Sequence, residues 1–545
     1  MLRELSQILG KYVGCLGLVL FLPLFTAIYY RLADSHSLLP DSMMAFLYSI
    51  CIAFAIAALL LLWGRGAIGH IGRRESILLV ALIWIVTSII SALPFYFSRT
   101  LNNPVDAYFE AMSGLTTTGS TMIAAKAYNP ETGQEIPIHY TNEQVPLKTY
   151  TYYGTVAPIR DPTTGMVIYS GVEAVSRPIL LWRSFLQWVG GMGIVVIFLT
   201  VLPALGVGGK FLYQIEVTGP FKEEISPRIH ETVSQLWKLY LFFTILEIVL
   251  LHWVDKAMPI FDSICLALSN ISTGGFSVRN ESIASYNNSA VQWIVVIFMI
   301  LGSINFALYF HIIRLKFYRL NAPDFFLFLG VVILAGTATS CLLIGQPQTS
   351  LTGTSGVYSV ATAFKEGLFQ AVSFQTSTGF VTANYDLWPY AAQMILLLLM
   401  YVGGMSGSTA GGLKTSRFYM LYKIVLHRLE LLYRPNSVRK LRIGTAEIDD
   451  SHALTALGFF CIAAVVTVIG SAIFILRGID PETSLGLVAN FINNTGSAFR
   501  VGGPEGALCF LPNLEKILST FWMLLGRLEY YVILLLLLPS YWKNR

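Results

Sequence analysis

Apolar runs long enough to cross a membrane alternate along this chain with shorter polar stretches. A helix needs about 20 consecutive apolar residues to cross the hydrocarbon core of a bilayer. Runs that approach or exceed this length lie at roughly 12–31, 43–63, 76–98, 182–202, 233–254, 290–313, 324–345, 388–412, 453–476 and 515–538. The pattern predicts an all-α integral membrane protein with ten full spans.

A shorter, partly apolar segment that ends in Thr-Gly lies between the two spans of each of the last four pairs. Each segment is too short to cross a bilayer, so we predict half-helices that enter the membrane and turn back. Non-helical backbone at that depth must be buried in protein or line water. The predicted ends of the four copies are Thr117, Thr118 and Gly119; Ser272, Thr273 and Gly274; Ser377, Thr378 and Gly379; and Asn494, Thr495 and Gly496.

The order span, half-helix, loop, span therefore occurs four times and forms a degenerate internal repeat. It divides the chain into an N-terminal transmembrane hairpin (1–70) and four repeats at 71–210, 211–320, 321–445 and 446–545. A polar insertion at about 124–180 interrupts the first repeat, and alternation at 148–153 and 166–169 predicts a small β-hairpin within it. The predicted architecture is four such units around one pore, plus two extra N-terminal helices.

Four turns of this kind around one axis would bring backbone carbonyls together, with hydroxyls below them. Carbonyls can replace the hydration shell of a cation, and glycine allows torsions that direct consecutive carbonyls inward. The Thr-Gly endings thus indicate a cation filter. The competing interpretation is a helix C-cap with a left-handed glycine, which fits one copy better than four copies in register.

A carboxylate stands near the start of each half-helix, at Asp106, Asp262, Glu366 and Glu482. These residues lie 13, 12, 13 and 14 positions before the predicted terminal glycines. At this end of a helix a carboxylate is expected to act as a cap rather than to bind an ion deeper in the membrane. A further role in concentrating cations at the mouth stays open.

A glycine-rich run at 403–412 interrupts the second span of the third repeat. Each interior glycine costs a helix about 1 kcal/mol relative to alanine, so we predict a loop that crosses the pore beneath the filter as a gate. The alternative is a packing face of small residues. The predicted gate residues are Gly403, Gly404, Ser406, Gly407, Gly411, Gly412 and Lys414.

Arg527 stands in the otherwise apolar last run. A charge at this depth costs at least about 2.5 kcal/mol and indicates function by default. Two interpretations remain open from the residues alone. Arg527 is either a charge that lines the pore or one half of a structural ion pair with Glu529 or with a carboxylate of another helix.

Composition and charge limit the class of protein further. The chain is 55% hydrophobic and 12% charged, which is typical of a polytopic membrane protein, and its net charge of +5 does not indicate nucleic-acid binding. Most of its 36 lysines and arginines flank the spans on the side opposite the filter loops, so the positive-inside rule places both termini in the cytoplasm. The six cysteines and eight histidines show no metal-ligand or catalytic spacing, so we expect no enzyme.

The residues resemble the Trk/Ktr/HKT superfamily of potassium transporters, and within it the bacterial TrkH-type potassium-uptake subunits. The resemblance covers nearly the whole chain. It rests on the four repeated units, on Trp182-Arg183-Ser184-Phe185 leading to Gly190-Gly191-Met192-Gly193, on the run at 403–412 and on Gly526-Arg527. The two extra N-terminal spans are similar to the Trk branch, whereas the insertion at 124–180 departs from the usual short connection.

This resemblance implies transport of K⁺ across a bacterial inner membrane, a homodimer, and a cytoplasmic nucleotide-binding ring of the TrkA type that opens the gate. In resembling transporters a serine at the first filter glycine accompanies sodium permeation, so Gly119 favours potassium. In the resembling family, the arginine at the position of Arg527 lies near the ion path. The membrane potential supplies about 2.3 kcal/mol per charge per 100 mV. The alternative is an alternating-access symporter that carries K⁺ or Na⁺ with H⁺.

Overall fold

The structure is a computed structural model that describes most of the chain. The described residues are 2–33, 38–67, 72–129, 132–141, 148–193, 229–315, 322–351, 353, 356–434, 442–443, 446–447, 450–504 and 506–543. The end of the predicted span at 182–202 lies outside them, as do several of the basic residues that indicate membrane orientation.

Helices dominate the described part of the chain. In chain order they are α1 (Leu2–Val19), α2 (Phe21–Ala33), α3 (Met43–Trp63), α4 (Arg73–Phe97), α5 (Pro104–Leu115), α6 (Arg177–Gly191), α7 (Ile229–Val254), α8 (Ile260–Ile271), α9 (Ser289–Ser303), α10 (Phe306–Ile313), α11 (Pro323–Leu343), α12 (Val360–Gln375), α13 (Tyr390–Val402), α14 (Thr415–Tyr433), α15 (Asp450–Leu476), α16 (Pro481–Asn493), α17 (Asn513–Arg527), α18 (Tyr531–Leu537) and α19 (Pro539–Trp542). The all-α membrane fold predicted from the sequence is confirmed.

Membrane-spanning character follows from length and composition. Six helical segments are long and apolar enough to span, and eight are if two bent pairs each count as one span, within the described residues. The bent pairs are α9 with α10, at 95°, and α17 with α18, at 120°. The predicted spans at 290–313 and 515–538 are therefore bent pairs of helices rather than single continuous helices. The predicted spans at 182–202 and 388–412 correspond in the described residues to the shorter α6 and α13.

The first predicted span also begins earlier than the apolar run indicated. It comprises α1 and α2, which together extend from Leu2 to Ala33. Helix α1 is amphipathic and packs along α3. Its Tyr12 hydroxyl lies 2.5 Å from the Thr87 hydroxyl on α4, which joins this N-terminal hairpin to the first repeat.

The four half-helices α5, α8, α12 and α16 are arranged as a ring. Each packs against the first span of its own repeat and also against the second span of the preceding repeat. The latter pairs are α8 with α6, α12 with α9, and α16 with α13. Helix α5 packs against α17 from the fourth repeat, which closes the ring.

The contact between the first and fourth repeats is the one place in this ring that no chain connection joins directly. Buried Lys516 on α17 donates to Asp106 on α5 at 2.5 Å. The amide of Asn103 donates to the side-chain oxygen of Asn513 at 2.8 Å. We call this contact the seam. Charge-assisted hydrogen bonds of this kind are stronger than neutral ones.

The insertion of the first repeat contains three short antiparallel hairpins. Their strands are β1 (Ala127–Tyr128) with β2 (Glu135–Ile136), β3 (Ile138–Thr141) with β4 (Thr149–Tyr152), and β5 (Ile159–Arg160) with β6 (Val167–Tyr169). A further pair, β7 (Arg442–Ile443) with β8 (Ala446–Glu447), precedes α15. The predicted pairing of 148–153 with 166–169 is wrong, because each of these segments pairs with a different neighbour.

The insertion contacts the fourth repeat. Tyr150 on β4 donates to Asp480 at 2.5 Å, and the Asp480 backbone N–H donates back to the Tyr150 hydroxyl at 3.0 Å. Burial raises the pKa of the Tyr150 phenol, which keeps this hydroxyl a neutral donor. Because Asp480 also caps α16, the insertion adds a second link across the seam.

Candidate functional site

Side-chain caps fix where three of the half-helices begin. Helices α5, α12 and α16 start after Asn103, Ser359 and Asp480, each of which accepts a hydrogen bond from a backbone N–H of the first turn. Helix α8 starts after Pro259 without a side-chain cap. Pro104 occupies the first turn of α5, as predicted, where a missing N–H has no cost.

The four carboxylates near these starts do not act as caps, which corrects the expectation from the sequence. Each pairs with a cation instead. The pairs are Asp106 with Lys516 (2.5 Å), Asp262 with Arg279 (2.9 Å), Glu366 with Lys365 (3.1 Å) and Glu482 with Arg500 (2.6 Å). Asp106, Asp262 and Glu482 therefore anchor their half-helices to other segments through ion pairs, whereas Lys365 and Glu366 are neighbours on α12 itself.

Every half-helix ends in the same backbone conformation, with two left-handed positions. The first is a residue with a side chain, and the second is a glycine two positions later. The left-handed residues are Thr117, Thr273, Ser377 and Asn494 (φ from 52° to 55°), followed by Gly119, Gly275, Gly379 and Gly496 (φ from 80° to 90°). Four copies of one strained conformation indicate a shared purpose.

This conformation corrects the register of the second repeat. The predicted ending of the second copy is Ser272, Thr273 and Gly274, whereas in the structure Thr273, Gly274 and Gly275 match the other copies. The hydrogen bonds agree, since the backbone N–H of Gly274 donates to the Ser269 carbonyl at 2.8 Å. Thr118, Thr378 and Thr495 make the equivalent bonds to Ser113, Ser373 and Asn490, at 2.8, 2.9 and 3.2 Å.

The four endings meet around a closed circle of backbone carbonyls. A methyl group built on Gly119 would overlap the carbonyl oxygen of Gly274 in the next repeat. The same relation joins Gly275 to Thr378, Gly379 to Thr495, and Gly496 to Thr118. Each left-handed glycine thus lies directly against a carbonyl of the following repeat. We call the carbonyls of Thr118, Gly274, Thr378 and Thr495 the carbonyl ring.

A cavity of about 140 Å³ borders the carbonyl ring. Its lining includes all four left-handed glycines and residues that follow them, among them Ser120, Ser277, Val381 and Ser497. The cavity therefore lies on the side from which the half-helices enter. Carbonyls and hydroxyls suit a weakly bound monovalent cation better than a divalent one. The described residues hold no group of three or more His, Cys, Asp or Glu side chains with metal-site geometry.

Side chains of α6 support the carbonyl ring from behind. The Gln187 amide donates to the Gly274 carbonyl at 2.6 Å and accepts from the Phe276 N–H at 3.1 Å. The fully buried pair of Arg183 and Glu110 lies beside it, at 2.7 Å. Neither Gln187 nor Glu110 was predicted, because a single polar residue on an apolar helix carries no repeat signal.

Arg183 links the loops that follow two of the half-helices. It donates to the carbonyl of Ser277 at 3.2 Å and to the hydroxyl of Thr121 at 3.1 Å, and its guanidinium stacks on Phe276 at 4.0 Å. Glu110 accepts from the Thr121 hydroxyl at 3.0 Å. Loss of one partner from such a buried pair is strongly destabilising, so this network holds the first two repeats in register.

On the opposite side of the carbonyl ring lies the glycine-rich loop, residues 403–414, between α13 and α14. All predicted gate residues belong to it: Gly403, Gly404, Ser406, Gly407, Gly411, Gly412 and Lys414. Gly403, Gly407, Gly412 and Lys414 have φ from 66° to 77°, so the segment forms no helix. The run therefore offers no helical packing face in this structure, although its small residues do allow close contacts with neighbouring backbone.

The glycine-rich loop binds to the second repeat through Thr409 and Met405. The Thr409 hydroxyl donates to the Gly302 carbonyl at 2.9 Å and accepts from the Thr273 hydroxyl at 3.3 Å. The Met405 N–H donates to the Ser303 carbonyl at 2.9 Å. These contacts use the carbonyls that the break between α9 and α10 leaves without helical partners.

The loop also contacts the ends of two half-helices directly. The Gly411 N–H donates to the Ser377 hydroxyl at 2.5 Å, and the Gly412 N–H donates to the Asn493 carbonyl at 3.1 Å. Buried Lys414 donates from Nζ to the carbonyl of Ala410 within the loop. The glycine-rich loop therefore lies immediately beneath the carbonyl ring.

Arg527 joins this loop to the first repeat. Its guanidinium donates to the Thr117 hydroxyl (3.2 Å), to the Thr409 carbonyl (3.0 Å), and to the carbonyls of Gly190 (2.6 Å) and Gly191 (3.0 Å). The predicted partner Glu529 binds Arg417 instead, at 2.5 Å. The arginine therefore lies beside the ending of the first half-helix and bridges three elements.

The fold and this site define a class of protein: a multi-pass helical membrane protein in which four re-entrant half-helices surround a ring of backbone carbonyls. Residues 160–543 match the TrkH family, described as "Cation transport protein". The chain belongs to this family, and the resemblance read from the sequence is confirmed. The family is one of transporters and not of enzymes.

Full-length relatives and a solved structure support this assignment. The chain is 30% identical to the Trk system potassium uptake protein TrkH of Salmonella typhimurium, over 99% of both chains, and 30% identical to that of Halomonas elongata, over 100% of both. It is 29% identical to TrkG of Escherichia coli, over 99% of both. The crystal structure of the potassium transporter TrkH from Vibrio parahaemolyticus is similar, with a TM-score of 0.77, 27% identity and 99% coverage of both chains.

Proposed function

We propose that the chain takes up potassium across the cell membrane through the carbonyl ring. The observation that carries the proposal is the closed circle in which each left-handed glycine lies against a carbonyl of the next repeat. Four carbonyls from one chain can replace part of the water around a dehydrated K⁺. The C-terminal ends of α5, α8, α12 and α16, which are the negative ends of their dipoles, point toward the same place and favour a cation there.

The membrane potential is sufficient to drive such uptake. A potential of 100 mV supplies about 2.3 kcal/mol for each charge that moves inward, and nothing in the carbonyl ring itself requires a second ion. The alternative, a symporter that carries K⁺ or Na⁺ with H⁺, requires a proton-binding group in the path. The atoms at the carbonyl ring are backbone carbonyls and hydroxyls, so a conducting filter is the favoured mechanism.

Gly119→Ser tests potassium selectivity. The side chain would enter a left-handed position against the Gly274 carbonyl, which displaces one of the four carbonyls and admits water. We expect the native chain in liposomes to take up rubidium and exclude sodium, and the serine variant to lose at least about tenfold in rubidium-to-sodium ratio, a change of about 1.4 kcal/mol. Tracer uptake of both ions measures this ratio.

Gly165→Ser is the matched control, because Gly165 is also left-handed (φ 69°) but lies in open space in the insertion. It should leave the ratio unchanged. If neither ion moves through the native chain, even with a cytoplasmic partner present, the four endings are structural and the proposal fails.

The glycine-rich loop is proposed to be the gate. It lies beneath the carbonyl ring, is held by hydrogen bonds to three repeats, and has no regular secondary structure of its own. Each bond contributes about 1 kcal/mol, so the closed position is stable and still reversible. Arg527 adds the bonds to the first repeat and also places a positive charge beside the path, which lowers the occupancy of cations there.

Replacement of Arg527 separates its charge from its geometry. Arg527→Ala removes both, and we expect rubidium uptake without a partner to rise at least about tenfold, since the loop loses more than one bond of about 1 kcal/mol. Arg527→Lys keeps the charge but not the planar fork of donors, so an intermediate rise is expected. Tracer uptake and thermal stability are measured together.

Arg160→Ala is the control for this experiment, since Arg160 is an exposed arginine of the insertion that donates to the Gly165 carbonyl of its own hairpin, at 3.4 Å. It should not change uptake. Native uptake by Arg527→Ala at native stability would rule out a gating role, and a loss of folded protein in both Arg527 variants would favour a purely structural one.

A cytoplasmic nucleotide-binding partner of the TrkA type is proposed to release the gate through α14. This helix follows the loop directly, carries Lys423 and Arg428, and exposes Leu429 and Leu432, a mixed basic and apolar face suited to docking. The relatives' names describe a Trk system. We also propose that the pore subunit works as a homodimer in the inner membrane, with both termini in the cytoplasm, as the distribution of basic residues predicts.

A further inference from the structure

A second cavity, of about 340 Å³, lies far from the carbonyl ring, where α2 ends and α3 and α6 begin. It is on the same side of the molecule as the entrances of the half-helices. Its polar lining comprises Tyr30, Arg31, Asp41, Ser42, Ser176 and Arg177. None of these residues belongs to the pathway described above.

Two helix N-termini converge on this cavity. Ser42 is the N-cap of α3, and Ser176 is the N-cap of α6. The first backbone N–H groups of a helix have no partner within it, and the helix dipole is positive at this end. Two such ends together favour an anion.

The two N-cap serines provide independent evidence of a ligand. An N-cap serine ordinarily accepts a bond from the first turn, but neither Ser42 nor Ser176 does so. Both are at least 97% buried, at 2% and 3% exposure, and both hydroxyls lack a hydrogen-bond partner among the described residues. A buried hydroxyl without a partner is costly, and two at one cavity indicate that a bound group completes them.

Two arginines set the charge of the cavity. The guanidinium of Arg177 lies 4.8 Å from the centre of the Tyr30 ring and forms no ion pair within the described part of the chain. Arg31 pairs with Asp41 at 3.4 Å, and both are about half exposed. Because Asp41 offsets only one of the arginines, the cavity keeps one positive charge in addition to the two helix ends.

We infer that this cavity binds the phosphate group of a membrane lipid. Arginine and helix N-termini are the groups that recognise phosphate in proteins. Apart from Arg31, the large exposed side chains of α2 are apolar or aromatic, including Leu22, Phe25 and Leu32, so acyl chains can lie along this helix while the headgroup enters. This apolar face favours a lipid over a soluble phosphate.

The test uses the purified full chain in detergent, depleted of lipid and then titrated with phosphatidylglycerol. Retained lipid is measured by native mass spectrometry, and stability is measured by thermal unfolding. Phosphatidylglycerol should raise the melting temperature of the native chain, whereas diacylglycerol, which lacks the phosphate, should not. Arg177→Gln should weaken retention at least about tenfold, as expected for loss of a charge-assisted contact.

Ser176→Ala separates a role of this serine in lipid binding from a role in stability, because the variant is measured with and without lipid. Its hydroxyl has no partner without a ligand, so the lipid-free variant should be as stable as the native chain. It should nevertheless lose part of the stabilisation by phosphatidylglycerol. Arg160→Gln, an exposed change in the insertion, is the control and should bind lipid as the native chain does.

Two results would overturn the inference. Unchanged retention of phosphatidylglycerol by both Arg177→Gln and Ser176→Ala would show that the cavity binds no lipid phosphate. An equal rise in melting temperature with soluble glycerol phosphate at the same concentration would assign the site to a free phosphate ester rather than to a lipid.

Discussion

Gly275→Ala is expected to lower rubidium uptake about a hundredfold, because a side chain there costs about 1–3 kcal/mol in strain and collides with a carbonyl of the ring. Gly275 has φ of 80°, and its added carbon would overlap the Thr378 carbonyl oxygen. The backbone at Thr378 cannot move aside without opening the carbonyl ring. Tracer uptake into liposomes, with protein quantity and melting temperature held comparable, measures the loss.

Gly274→Ala is the matched comparison and distinguishes the two possible registers. Its φ is not left-handed, and the other three repeats carry threonine at the equivalent position. The added carbon would meet the Gln187 side chain rather than backbone, and a side chain can turn away. We expect a loss well below that of Gly275→Ala; a larger loss at Gly274 than at Gly275 would restore the register read from the sequence.

Deletion of residues 406–410 is expected to raise rubidium uptake without a partner about a hundredfold. The deletion removes Thr409 with its bonds to Gly302 and Thr273, and it removes the carbonyl that Arg527 holds. Loss of two or three bonds of about 1 kcal/mol each shifts a closed loop strongly toward open. Uptake equal to that of the native chain would show that the loop does not close the path.

Two point variants refine this deletion. Thr409→Val keeps the size of the side chain but removes the hydroxyl that binds the second repeat, and we expect a several-fold rise in uptake. Ser408→Ala removes a hydroxyl whose one side-chain hydrogen bond among the described residues is to the Met405 carbonyl, inside the loop, at 2.6 Å. This control should leave uptake unchanged, because it breaks no contact between the loop and another repeat.

The sequence predicted the fourfold repeat because the repeat depends on local signals: apolar length, a half-helix and a glycine. The error at Gly274 arose because the second copy has two glycines, and Thr273-Gly274 matched the Thr-Gly ending of the other copies. The spacing from the carboxylate to the glycine indicates the correct register. Asp262 lies 13 residues before Gly275, as Asp106 and Glu366 do before Gly119 and Gly379.

Other features could not be predicted from the sequence because they depend on contacts between distant residues. The breaks after Ser303 and Arg527 lie within apolar runs that are long enough for continuous helices. The hydrogen bonds lost at the first break are replaced by bonds from the glycine-rich loop to Gly302 and Ser303. At the second break, Glu529 pairs with Arg417. The ion pair of Asp106 involves Lys516, a cation 410 positions away in the chain. Periodicity carries no information about such partners.

The seam between the first and fourth repeats has a consequence for biosynthesis. The chain is made from its N-terminus, and the carbonyl of Thr495 and the side chains of Lys516 and Arg527 belong to the fourth repeat, which emerges after the other three. The carbonyl ring is therefore incomplete until the fourth repeat has entered the membrane and docked on the first. An interrupted polypeptide cannot form the proposed filter, so a ribosome that stops early leaves no selective pore behind.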